Sequence, residues 1–529
     1  MMSAKKVISL VALFVLLNIG CLNFCFSQSG VGTWRPLGPI PFPVNVSGQV
    51  HGMGRVCQIV FHPTLASKIY AVSASGGLYI SNDTGRTWQV TAGTETLPNT
   101  ACSALCVDYT NDNILYLSTG DPNYYGQGLG LYKSIDGGNT WLLSNTGMGT
   151  RMCIDIIMDP TNPNVLIAAT DDGIWKSNNA ASSWVRTLVA GQMRSMKLKP
   201  ASNTILYAAT ATSFYKSNDF GNTWTSITNG VTVPANNEGM RIAVTTADPQ
   251  VVYLGTTGGY GQILKSTDGG NSFSTIYSSN DQCIVCYDST IASGSQGYYN
   301  YNLTVNPANA NELLLGSHCV WRSTDGGYTW TRRTSWWNEV HTDMHELAFD
   351  PYDLNLRFNA NDGGVWISRD AEATIWKPWS DGLSATEMYH GAQSPTIRNL
   401  VSAGTQDNGE LYYDGIWKCN RGGDWTARCQ FDFSGTVYYD NGDRRNLNPL
   451  AGDQSYNAPF HNTDEFHMDF SSLSKKTAFV GTDSLWITRD IKATAPIWRL
   501  LWPGRSATVK AIAASKADSN LLFIADNAS

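Results

Sequence analysis

Short runs in which apolar and polar residues alternate recur along most of this chain: GGLYIS at 76–81, GLYKS at 130–134, GIWKS at 173–177, QILKS at 262–266 and VWRS at 320–323. A period of two predicts half-buried β-strands. Upstream of most of them lies a second run that ends at a proline, as in IVFHP at 59–63, IIMDP at 156–160, AVTTADP at 243–249 and LAFDP at 347–351. No stretch carries a helical period of comparable strength, so the pattern predicts an all-β chain.

Each strand of the first kind runs into a turn of nearly constant sequence. SNDTGRTW starts at Ser81, SIDGGNTW at Ser134, SNNAASSW at Ser177, SNDFGNTW at Ser217, STDGGNSF at Ser266 and STDGGYTW at Ser323. Two longer versions follow, SRDAEATIW from Ser368 and TRDIKATAPIW from Thr488. Successive starts are 53, 43, 40, 49, 57, 45 and 120 residues apart, so the last interval holds one or more units without the signature. In such a turn the aspartate carboxylate accepts backbone N–H groups, glycine supplies positive φ, and the tryptophan that follows packs between sheets. About four short strands per ~45–50 residues, repeated, describe a β-propeller.

These turns resemble the Asp-box (BNR) repeats of sialidases, xyloglucan-cleaving endoglucanases and the sortilin ectodomain, over nearly all of residues 50–529. The resemblance implies a propeller of Asp-box blades. It also implies that Asp83, Asp136, Asp219, Asp268 and Asp325 are structural, because such boxes sit on turns away from propeller active sites. Counting gives about nine to ten blades, as in a sortilin-like ring, or a seven-bladed propeller followed by a truncated second one, as in the xyloglucanase-like enzymes. Residues 50–507 carry the blades, and 508–529 read as the start of a further blade that is either cut short or completed by the N-terminal segment from Trp34.

The first residues change the picture of where this propeller works. MMSAKK followed by the apolar run VISLVALFVLLNIG reads as a signal peptide over 1–27, with 28–49 an extended segment. That run is short for a bilayer span and no later segment is longer, so a secreted or cell-surface protein without a transmembrane segment is expected. The net charge of −7 gives no general attraction for nucleic acid, and no nucleic-acid partner is expected. Nine cysteines follow Ser27, an odd number that leaves at least one thiol unpaired. Cys419 and Cys429 are candidates to bridge neighbouring strands. Cys283 and Cys286 form a C-x-x-C in loop-like sequence without βαβ context, so neither a redox motif nor a zinc site is expected there.

Candidate chemistry comes from aligning the innermost strands on the proline after each. Eight residues before it stand Arg55, Arg241 and Asp343, and six before it stand Arg194, His345, Tyr301 and Tyr389. Positions two apart share a strand face, so these side chains are expected to converge on the channel mouth, either as an Arg-bearing site for a sugar or anionic ligand or as inter-blade bonds. His341, Asp343 and His345 form H-x-D-x-H, expected to face one way, but alternate residues are ~6.5–7 Å apart and suit a shared ion poorly, so no metal and no cofactor is expected. Aromatic pairs in inserted loops, Tyr124–Tyr125, Tyr298–Tyr299 and Trp336–Trp337, suit sugar rings, whose C–H faces stack on aromatic planes.

The xyloglucanase resemblance can be followed residue by residue. The stretch GLSATEMYHGAQSPTIRNLVSAGTQDNG looks like that family's approach to a catalytic aspartate and sets Asp407 in its place as general acid. The partner aspartate of that family falls where this chain has SASGG, with Ala74 instead of a carboxylate; Asp121, Asp171 and Asp424 are substitutes. Sialidase chemistry is not indicated, since the Arg-Ile-Pro is missing, and no G-x-S-x-G elbow occurs. The expected function is binding of a polysaccharide or of a protein or peptide ligand at the channel mouth and loop face without turnover; the alternative is a glycoside hydrolase using Asp407. The binding residues would be Arg55, Arg194, Arg241, Tyr301, Trp336, Trp337, His341, Asp343, His345 and Tyr389.

Overall fold

A computed structural model describes residues 36–123, 128–290, 295–424, 429–439, 444–446, 454–455, 467–504, 508–518 and 520–527. The proposed signal peptide and the Tyr124–Tyr125 pair lie outside them. The chain divides into Met1–Gly38, whose described residues are irregular, and Pro39–Ser529, which carries every sheet. The only helical turn among the described residues is a 3-10 turn at Ala92–Thr96, and no helix is long and apolar enough to cross a membrane.

Among the described residues, ten sheets of four or more strands and one of two follow one another along the chain. Each four-stranded sheet is a meander of consecutive antiparallel strands. In the first, Gln58–Phe61, Ile69–Ser73, Gly77–Ser81 and Gln89–Val90 pair in order. Six more such sheets occupy residues 102–143, 153–189, 195–227, 240–278, 302–332 and 344–378. The eighth (388–421) takes a fifth strand, Val44–Asn45, parallel to Trp417–Arg421. The N-terminal segment therefore completes the eighth sheet rather than the final two-stranded one, Val509–Ala514 with Leu522–Asp526. The turn signature is absent from the eighth and ninth sheets, and these fill the 120-residue interval between the last two turns.

The recurring turn is held by its own side chains. In the fourth sheet Ser217 Oγ donates to Asp219 Oδ1 (2.8 Å), Thr223 N donates to the same oxygen (2.9 Å), and Thr223 Oγ1 donates to Oδ2 (2.7 Å). The same bonds recur at Asp83, Asp136, Asp268 and Asp325, which fits the structural role expected of them. At Asp136 the hydroxyl and amide of Thr140 pull the carboxyl down to about 2. Gly85 sits at φ 79° against Trp379 and Trp88, where a Cβ would stand 3.1 Å and 3.2 Å from the two indoles. In the third sheet Asn179 replaces the aspartate and its amide donates to Ser183 Oγ instead (2.9 Å). Asp219→Ala should therefore cost about 1–2 kcal/mol in urea unfolding, and Asp219→Asn clearly less; equal losses in both would refute the hydrogen-bonding account.

A second set of bonds runs between sheets. In several first strands one polar side chain accepts a backbone N–H from the first strand of the following sheet: Gln58 from Leu105 (3.0 Å), Asp155 from Met196 (2.8 Å) and Asn302 from Leu347 (3.0 Å). Asp469 does the same with Ala514 near the C-terminus (2.7 Å). In the seventh sheet the equivalent bond returns to the first, with Glu346 accepting from Ile59 N (2.6 Å). The two sheets also share one core, in which Met53, Ile59 and Tyr79 pack with Phe358, Val365 and Leu383. A single cavity is lined by Gln58, Ser103, Asp155, Ser195, Arg241, Asn302 and Glu346, one residue from each of the first seven sheets or its lead-in.

The one disulfide among the described residues is Cys283–Cys286. Cys419 and Cys429, expected as a bridge, are free: Cys419 Sγ donates to Arg421 O (3.1 Å) and Cys429 Sγ to Ser402 O (3.1 Å). Cys419 stands on Trp417–Arg421 and Cys429 just before Gln430–Phe431, and each thiol turns to a backbone carbonyl.

Candidate functional site

The aligned residues do not form one mouth; the structure divides them between two places. Arg194, Arg241 and His345 line the channel cavity. Arg241 Nε donates to Tyr301 O (2.8 Å) and its Nη1 to Arg194 O (2.7 Å), so this arginine links three consecutive sheets. Tyr301 is a correction: its side chain is 1% exposed within an apolar cluster between the fifth and sixth sheets and reaches no ligand surface. Asp343 and Tyr389 gather elsewhere, in a cleft of about 570 Å³ between the seventh and eighth sheets that Trp336, Trp337, His341 and Asp407 also line, while Arg55, expected as a binding residue, lines neither place.

The walls of this cleft are aromatic. Trp336 and Trp337 come from the loop after the sixth sheet and are 40% and 49% exposed, which is unusual for side chains of that size. Their rings meet edge to face at 5.0 Å. Trp336 stands 6.0 Å from Tyr287, which stacks on His318 at 3.7 Å. Tyr287 directly follows the Cys283–Cys286 disulfide, whose short loop fixes where it projects. Tyr389, 40% exposed, stands on the eighth sheet. Of the sequence-predicted pairs, Tyr298–Tyr299 contributes only Tyr299 to the lining.

The floor is made of carboxyl groups. Asp343, Asp362 and Asp407 each present an oxygen, and the three lie within 4.8 Å of one another. Asp362 is fully buried in the hairpin turn between Arg357–Asn361 and Gly364–Ser368. His345 Nε2 lies 2.6 Å from its Oδ1, while Tyr299 Oη (2.6 Å) and Gln406 Nε2 (2.8 Å) donate to its Oδ2. His345 Nδ1 faces Asn123 Nδ2 at 3.2 Å, an arrangement that aims the proton on Nε2 at Asp362. Arg55 adds charge beneath, bidentate to Asp121 (2.6 and 3.3 Å) and bonded to Glu387 (3.2 Å). Burial opposes ionisation of Asp362, but His345 and Arg55 outweigh it and hold this carboxyl well below the usual range.

The other two carboxyls go the opposite way. Burial, then the charges of Asp362 and Asp343, push Asp407 up to about 10, and burial with Asp362 raises Asp343 well above its ordinary value. Both occupy left-handed backbone, φ 60° at Asp343 and 53° at Asp407. The turn at Asp343 also undoes the expectation that His341, Asp343 and His345 share a face. The regular strand begins only at Met344, so His341 and Asp343 project into the cleft while His345 points to Asp362 and the channel. His341 Nε2 stands 2.9 Å from the carbonyl oxygen of Asp407. It lies so close over the seventh-sheet turn that a Cβ on Gly363 would stand 2.4 Å from its ring.

Asp362 is the residue that sequence reading missed. Its N-D-G-G turn matches no recognised ligand loop, yet it occupies the hairpin position in the seventh sheet that Q-D-N-G, carrying Asp407, occupies in the eighth. Aligning second hairpins across repeats, rather than first strands, would have found the pair. Ala74 lies in the corresponding hairpin of the first sheet, is almost fully buried and offers no carboxylate.

No family model matches the sequence, and no curated protein sequence does either. Solved structures do resemble the fold. An ancestral GH74 enzyme aligns with TM-score 0.68 at 17% identity, over 94% of this chain and 75% of that one. The GH74 xyloglucanase from Xanthomonas campestris gives 0.53 at 16%, over 86% and 80%. The GH74 enzyme of Niastella koreensis gives 0.51 at 17%, over 89% and 82%. At such identities the likeness extends to the fold: this chain is a β-propeller protein.

Proposed function

We propose that this chain is an exported Asp-box propeller that binds a glycan, without cleaving it, in the cleft between the seventh and eighth sheets. The supporting observation is the wall of exposed Trp336, Trp337 and Tyr389 facing a floor of carboxyl and carboxamide groups. Sugar rings need both, flat apolar faces for their axial C–H groups and hydrogen-bonding partners for their hydroxyls. The architecture we read behind it is a seven-bladed ring, closed by Glu346 and Ile59, with the later sheets beginning a second propeller. The GH74 likeness supports a propeller of the kind that binds or cleaves glycans.

Binding without turnover is favoured because hydrolysis needs an ionised carboxylate facing an acid across the scissile bond. The carboxyl here that is held ionised, Asp362, is fully buried under its donors, and Ala74 stands where a partner would come from the first sheet. One observation favours the second reading, a glycoside hydrolase: Asp407 keeps its proton at neutral pH, as a general acid must.

A polysaccharide panel separates the two, with binding and reducing-end release read from the same wells. Trp336→Ala and Trp337→Ala are each expected to weaken binding at least ~10-fold, as for aromatic anchors elsewhere, with no reducing ends released by any protein. Release that disappears in Asp407→Asn would establish the enzyme instead. Unchanged affinity in both tryptophan variants would overturn the site, and no binding to any polysaccharide would turn the search to peptide ligands.

A further inference from the structure

Carboxyl groups crowd the floor of the cleft. Three carboxyl oxygens lie within 4.8 Å of one another, two of the residues being fully or nearly fully buried. The guanidinium of Arg55 beneath them is bonded to Asp121 and Glu387, while His345 faces Asp362 and His318 Nε2 stands 3.7 Å from Asp343. A second feature is independent of the carboxylates. Asn300 is wholly buried and Gln406 is 6% exposed, and the amide oxygen of each, Asn300 Oδ1 and Gln406 Oε1, has no hydrogen-bond partner. Both carboxamides are held at the cluster by their nitrogens: Gln406 Nε2 donates to Asp362 Oδ2 (2.8 Å) and Asp407 Oδ2 (2.5 Å), and Asn300 Nδ2 to Asp343 Oδ1. A buried carbonyl oxygen left without a donor is costly, and two beside one acidic cluster are what a cation requires.

We propose that Asp343, Asp362 and Asp407 bind a calcium ion, with the amide oxygens of Asn300 and Gln406 as further ligands. The donor set is entirely oxygen, which selects a hard cation. Oxygens at about 2.4 Å from calcium stand at most ~4.8 Å apart, and these three fall within that span. Magnesium demands a shorter, regular octahedron, and the imidazoles that zinc would prefer are engaged, His341 Nε2 with Asp407 O, His345 Nε2 with Asp362 Oδ1, and His318 Nε2, 3.7 Å from Asp343, with Gln296 Oε1 (3.3 Å). The ion would tie the lead-in to the seventh sheet, the turn of that sheet and the turn of the eighth into one floor. It would also make Asp407 an ionised ligand. This inference goes beyond the glycan reading and stands whether or not a sugar binds above it.

The full chain, stripped with EDTA and dialysed, is titrated with calcium chloride by calorimetry and by thermal melting. One ion per chain is expected, with Kd below about 1 mM, a raised melting temperature and at least ~10-fold weaker binding of magnesium. Asp343→Asn should abolish binding and Gln406→Leu weaken it at least ~10-fold, while Asp219→Asn, in a turn of the fourth sheet, should leave it unchanged. Should Asp343→Asn fail to fold, the wild type alone decides. Terbium luminescence excited through the nearby tryptophans should appear and be displaced by calcium. Neither heat nor a melting shift at about 10 mM calcium, or equal binding by folded wild type and Asp343→Asn, overturns the proposal.

Discussion

Replacing Arg55 by Met should lower the stability of this protein by about 3–5 kcal/mol, the loss typical of breaking a buried ion pair from one side. Arg55 is 2% exposed, and its guanidinium serves acids from different parts of the chain, Asp121 in the second sheet, between Leu115–Thr119 and Leu131–Ser134, and Glu387 before the eighth. It also lies 5.7 Å from the ring centre of Tyr299, which donates to Asp362. Methionine keeps the apolar stem and removes the charge, so the loss reports stranded carboxylates rather than a cavity. Urea unfolding at neutral pH measures it. Asp121→Asn, which removes one acid and leaves Arg55 bonded to Glu387, should cost less. A loss below about 1 kcal/mol in Arg55→Met would mean that water already reaches these acids.

The second large effect concerns Glu346, whose carboxyl burial pushes up to about 7, against the opposing pull of Lys197. With its pKa raised from 4.5, the folded state holds a proton that the unfolded state releases. Stability from this group is complete below about pH 4.5 and falls as pH rises towards 7, by up to about 1.4 kcal/mol per pH unit and about 3 kcal/mol in all. Glu346→Gln retains an oxygen for Ile59 N and cannot ionise. Its stability relative to wild type should therefore climb by about 2–3 kcal/mol between pH 4.5 and 8, the charged groups around it, Lys197 and Asp155, being common to both proteins. A difference independent of pH would show that Glu346 is ionised throughout.

Strand pattern made the sheets legible because each strand has one face inward, and turn chemistry made their number nearly legible because Asp, Gly and Trp each do one job at a fixed offset. The eighth and ninth sheets, whose turns are built without that chemistry, were legible only as one or more units within the 120-residue interval. The bond from the seventh sheet back to the first could not be read from strand alternation, which is blind to the angle between successive sheets. Within the site, alignment on proline grouped Arg194, Arg241 and His345, which line one cavity. It failed at Asp343, where a single left-handed residue reverses the alternation, and at Tyr301, whose ring points into the core. Trp336, Trp337 and Asp407, taken from loop composition and from family resemblance, reach one cleft although 70 residues separate Trp337 from Asp407.

The bond from Glu346 to Ile59 spans 287 residues of chain. During synthesis the first sheet must therefore wait for the seventh, its flank bare for most of that time, and the cleft waits longer still for the eighth. Loop closure over that distance adds little to the equilibrium cost, since the entropy grows only with the logarithm of length. It adds much to the time during which an unpaired apolar flank can find the wrong partner. Nascent chains released before about residue 378 would be the species most prone to aggregate and most in need of a holding chaperone.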